Sequence, residues 1–208
     1  MSENLSNLGF SMLGTWPDPL RANLEEALFT YIGEENLRLW LNNKPVTIRF
    51  GGGNKMVAGI YHGLTSGSRI TLFANQTTNP VINILHEFGH LVDNLWGDFF
   101  TNHLEKTPFL RNQAFFGGWN GRAYLGLRRD IIRSEVLKAR GIAGGDAWQQ
   151  RGGVPHWEDW ADIFSNATLG NINPENEVGK QILDFVALMN KHVKGPDLMT
   201  AETPNLPA

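Results

Sequence analysis

The chain has 208 residues, no cysteine and a formal net charge of −3. That length suits one domain with a sizeable core, and the slight negative balance gives no electrostatic footprint for nucleic acid or an anionic membrane. The missing cysteines rule out disulfides and thiolate ligands, so any metal site must use His, Asp or Glu. With 41% hydrophobic and 19% charged residues, the composition is that of an ordinary globular protein. No apolar run is long enough to span a bilayer, and the first residues lack a basic stretch followed by an apolar core. The sequence therefore predicts a soluble chain without an export signal.

Taken in order, residues 1–16 read as a loose start. The segment DPLRANLEEALFTYIGEENLRLWLNN then opens with a helix-start signal and carries apolar residues at helical spacing. Three short segments rich in β-branched and aromatic residues follow, PVTIRF (45–50), MVAGIYH (56–62) and RITLFA (69–74). Gly-rich turns separate them, which predicts an antiparallel meander. A further helix is expected from Pro80, to be ended by Gly97. Residues 98–126 carry no clear period. An amphipathic helix is predicted over 127–140, then a Gly-rich surface loop, then two helices on HWEDWADIFSNAT and NEVGKQILDFVALMNKHV. The tail over 195–208 reads as a second loose end. The expectation is one α+β domain over 1–208, with a small antiparallel or mixed sheet, a helix bearing the active site and a mainly helical C-terminal half.

The helix at Pro80 carries the chemistry. Its residues 86–90 spell H-E-F-G-H. Side chains four apart on an α-helix lie about 40° apart around the axis and one turn along it. His86 and His90 can thus present two imidazoles to one point, and Glu87, about 100° round, can take a proton from a water held there. Catalytic zinc sites add a third protein ligand and keep the fourth position for water. An extension with a third histidine at position 96 is excluded, because that residue is Trp96. The remaining histidines are His62, His103, His156 and His192.

A better third ligand lies in E-D-W-A-D-I-F, where Glu158 and Asp162 stand four apart on a predicted helix. Two carboxylates so placed repel each other by a few tenths of a kcal/mol unless something joins them. In a zinc site the first binds the metal, and the second accepts a hydrogen bond from the far N–H of a ligand histidine. Asp159 competes with Glu158. The plainer account is that acids are favoured in the first turn of a helix by its dipole. Asp93, three positions after His90, is either a group that orients a ligand histidine or a polar residue near a helix end. Gly89 allows close approach of other backbone to the helix, for which the strands are the expected source.

H-E-F-G-H followed by E-x-x-x-D-I-F resembles the gluzincin zinc metallopeptidases, and the string HEFGHLVDN is similar to the catalytic-domain family of anthrax lethal factor. The resemblance implies a zincin-like fold with one zinc ion on His86, His90 and Glu158, Glu87 as general base and Asp162 behind a ligand histidine. It implies a peptide or protein substrate paired with an antiparallel strand just before the metal helix, the position of RITLFA. An oxyanion donor is also implied, with His156 and Tyr124 as the candidates. Two other readings stay open: a zinc-binding module that holds a partner without cleaving it, and the protease piece of a toxin or effector.

Overall fold

The computed structural model describes residues 3–52, 59–64, 67–73, 80–106, 156–175 and 177–195. Helix α1 (Glu3–Asn7) leads into strand β1 (Phe10–Leu13), followed by helix α2 (Asp18–Glu25), a π-helical segment (Glu26–Ile32) and helix α3 (Glu34–Leu41). Strands β2 (Val46–Phe50), β3 (Gly59–Leu64) and β4 (Gly67–Leu72) come next, then helices α4 (Pro80–Leu95) and α5 (Phe99–Lys106). Past the undescribed residues 107–155 lie helices α6 (His156–Thr168) and α7 (Glu177–Lys194). The helix expected over 127–140 falls outside the described residues. None of the described helices is long and apolar enough to cross a membrane.

The four strands form one mixed sheet in the order β1-β2-β4-β3. β1 and β2 pair in parallel, as do β2 and β4, while β3 runs antiparallel to β4. This corrects the expected meander. A meander keeps sequence order and would put β3 in the centre, but β3 reads GIYHGL, with glycines near both ends. Glycine offers a strand no side chain to pack, which suits an edge. The central place goes instead to β4, whose Ile70 and Leu72 are buried and aligned with Ile48 and Phe50 of β2. The start also differs from expectation. Residues 1–16, read as loose, supply α1 and β1, and Phe10 is buried in register with Val46.

The long helical stretch expected before the strands is divided at Gly33, which has a φ of 82°. The α4 helix lies against β3 and β4. Its apolar positions 81, 84, 85, 88, 91, 92 and 95 recur at helical spacing, and all are buried. Gly97, at a φ of 69°, follows the helix end, as glycine does where the backbone turns left-handed. The other side of α4 meets α6 along an extended contact. Around that contact Trp40, Phe88, Phe100, Trp160 and Phe164 form one buried aromatic group.

Candidate metal centre

His86, Glu87 and His90 sit half-buried on α4, between its core-facing rows and solvent. Their neighbours Leu85, Phe88, Leu91 and Val92 are fully buried, which fixes the rotation of the helix and hence the direction of the polar group. The two imidazoles meet. Nε2 of His90 stands 3.2 Å from Nε2 of His86, with the rings nearly perpendicular at 87°. The other ring nitrogen of His86 lies 2.9 Å from Oδ1 of Asp162 on α6.

Chemistry decides the tautomer of His86. An ionised carboxylate only accepts hydrogen bonds, so Nδ1 of His86 carries the proton and donates it. The lone pair is then on Nε2, the atom that faces His90. Two nitrogen donors on one tetrahedral zinc, each about 2.05 Å from it, are separated by about 3.3 Å. The observed 3.2 Å matches that bite and is equally the length of an N–H···N hydrogen bond between the two rings. The donor set therefore fits zinc: two convergent imidazole nitrogens, one of them backed by a carboxylate on its far side.

The remaining residues predicted for the site divide clearly. Glu158 and Asp159 lie in the first turn of α6, one of them a full helical turn before Asp162, and His156 begins the helix. Their side chains fall outside the described residues, as does Tyr124. Among the described residues no group of three His, Asp or Glu stands ready to hold a metal. Of the other histidines, His62 is on β3, and its side chain is not described either. His103 and His192 belong to a separate cluster, where both rings lie against Phe99.

The Asp93 carboxylate is engaged by the start of α5. Its Oδ1 accepts the amides of Phe100 at 2.9 Å and Thr101 at 3.1 Å, and its Oδ2 accepts the Thr101 hydroxyl. It caps the start of α5, so the orienting role considered for it goes to Asp162. Burial pushes the Asp93 carboxyl above its usual range, against the lowering effect of the hydrogen bonds from Thr101 and Phe100. Gly89 does allow a close approach, but the partner is α6 and not the sheet. A Cβ added there would lie 2.9 Å from the Ala161 Cα and 3.2 Å from the Phe164 Cβ. Sequence reasoning passed over Trp160. Its indole N–H donates to the Gly89 carbonyl at 2.9 Å, inside the zinc-motif pentad itself. The one available signal was a tryptophan set among the acids of E-D-W-A-D, which has the same form as an ordinary core aromatic.

No protein-family model, curated protein or solved structure matches the chain.

Proposed function

We propose that this protein is a zinc-dependent peptidase of gluzincin type. The observation that carries the reading is the convergence of His86 and His90 at 3.2 Å with Asp162 bonded behind His86. Glu87 next to it argues for catalysis over a purely structural metal, which needs no base and usually closes with four protein ligands. His86, His90 and Glu158 would hold the zinc, with Asp159 as the competitor for the third place. Bound there, zinc supplies a lowered pKa for a water molecule and polarises the scissile carbonyl.

The chain's own residues do the rest. Asp162 keeps the His86 proton on Nδ1, so that Nε2 stays a donor to the metal. Glu87 accepts the proton of the attacking water and delivers it to the leaving amine. A donor for the developing oxyanion comes from His156 or Tyr124. The substrate strand moves from the place first expected. RITLFA lies mostly in β4, which is paired on both sides by β2 and β3 and has no backbone edge to offer. Among the described residues β3 is the edge strand on that side, and it also lies against α4. An extended peptide adding to β3 would run beside the metal helix, with main-chain bonds giving affinity and side-chain pockets giving selectivity.

The test is peptide-library cleavage by zinc-loaded protein beside the Glu87→Gln variant. Turnover that falls by at least about a hundredfold, with zinc still bound, is expected when a general base is lost. Equal cleavage by both proteins, or none by the wild type with one zinc bound, would overturn the reading.

A further inference from the structure

We propose that Trp160 is the positioning residue of the metal centre: its indole N–H, bonded to the Gly89 carbonyl, sets the rotation of α6 against α4 and so holds Asp162 on His86. The metal part of this inference rests on the reading of His86 and His90 as zinc ligands. The observation behind it is how three consecutive residues of α6 straddle α4. Ala161 lies against Gly89, close enough that any side chain at position 89 would strike its backbone. Successive residues of an α-helix are about 100° apart around the axis. Trp160 and Asp162 therefore leave α6 on opposite flanks of the Ala161 contact. One reaches the Gly89 carbonyl at 2.9 Å and the other reaches His86 at 2.9 Å.

Glycine facing alanine brings two helices close but gives them a smooth contact. Nothing in such a seam stops α6 from rolling about its own axis. The two flanking hydrogen bonds do stop it, because a roll that lifts Asp162 off His86 must also drag the indole from the Gly89 carbonyl. A carbonyl oxygen has two lone pairs, so the indole bond adds to the bond made within α4 and does not replace it.

The indole is itself held. Trp160 is fully buried, its ring stacked on Phe100 at 4.6 Å and 16°, with Phe164 and Phe185 at its edges. Phe100 is fixed in turn by the hydrogen bond that its backbone N–H donates to Asp93, which belongs to α4. A closed circuit results, from α4 through Asp93 to α5, through Phe100 and Trp160 to α6, and back to α4 at Gly89. The circuit gives the buried Asp93 a part in the site without any contact to it.

Trp160→Phe tests this, because it keeps an aromatic ring on Phe100 and removes the N–H, together with the rest of the five-membered ring that fills the buried site. Two readouts report on the site: the zinc dissociation constant by chelator competition, and the His86 Nδ1 proton by nitrogen-edited NMR of the metal-free protein. Loss of the clamp should weaken zinc binding about tenfold, in the range seen when the partners of metal ligands are removed. It should also speed exchange of the Nδ1 proton and mix the two tautomers of His86. The unfolding midpoint falls as well, because the smaller ring leaves a cavity, and a 3-benzothienylalanine variant separates that loss from the loss of the N–H. Unchanged zinc affinity and an unchanged Nδ1 proton in a folded variant would overturn the proposal. Should the phenylalanine variant fail to fold, 3-benzothienylalanine at position 160 keeps the size of the indole without its N–H, and the same readouts apply. A wild type that binds no zinc would sink the peptidase reading alone, since the metal-free NMR comparison still decides whether Trp160 holds Asp162 on His86.

Discussion

At the scale of single residues, Gly89 shows two opposed effects whose sizes can be compared. An alanine in a helix interior is favoured over glycine by up to about 1 kcal/mol. Against that, a Cβ at position 89 would sit 2.9 Å from the Ala161 Cα, a backbone atom that cannot rotate away. Forcing atoms into a packed contact costs about 1–3 kcal/mol, so packing outweighs propensity. Gly89→Ala should therefore lower the stability of the protein, by up to about 2 kcal/mol. It should also push α6 outward and lengthen the His86–Asp162 bond. Denaturant unfolding measures the first effect, and the NMR signal of the His86 Nδ1 proton measures the second. A variant more stable than the wild type would mean that the two helices separate at no cost, and that their close contact does not set the site.

At the scale of elements, the helix bearing the site was legible in the sequence and the order of the strands was not. The α4 helix announces itself through seven apolar positions at helical spacing, and His86, Glu87 and His90 follow from that spacing alone. Asp162 was reachable because a carboxylate four residues from another needs a reason to be there. Strand order depends on which segment the core prefers. That preference became visible only when Ile70 and Leu72 of β4 were seen beside β2. Trp160 and the capping role of Asp93 stayed hidden for a similar reason, since their partners lie on other helices and leave no trace in local periodicity.

The docking of α7 yields a prediction of its own. The His192 ring stacks on Phe99 of α5 at 3.7 Å and 10°, and its Nδ1 is buried with no hydrogen-bond partner among the described residues. Burial pushes its pKa below the usual histidine value, and the nearby His103 pushes it the same way. Between that lowered value and about 6.5, the unfolded chain binds more protons than the folded one. Stability therefore falls as pH drops through this window and returns as pH rises through it. His192→Phe keeps the stack and removes the titration. Its unfolding midpoint should vary less between pH 7 and pH 5 than that of the wild type. Parallel pH profiles for the two proteins would show that α7 docking does not sense this proton.

At the scale of the whole molecule, a metal at His86 and His90 with its third ligand on α6 would bridge parts of the chain far apart in sequence. α4 covers the sheet, and α6 carries the aromatic core to α7. Unfolding cannot proceed without separating them, so zinc bound there should stabilise the whole domain. A ligand present at a hundred times its dissociation constant, bound only by the folded state, adds about 2.7 kcal/mol. For a chain of this size that corresponds to a rise in Tm of roughly 5–10 °C. Zinc-loaded protein should accordingly lose about that much when a strong chelator is added. His86→Ala, which removes a proposed ligand and the bond from His86 to Asp162, should melt at one temperature with or without the chelator. A chelator shift that persisted in His86→Ala would put the stabilising metal elsewhere in the fold. No shift in the wild type would mean that His86 and His90 hold no stabilising metal, and that their bonds to each other and to Asp162 serve to pin α4 to α6.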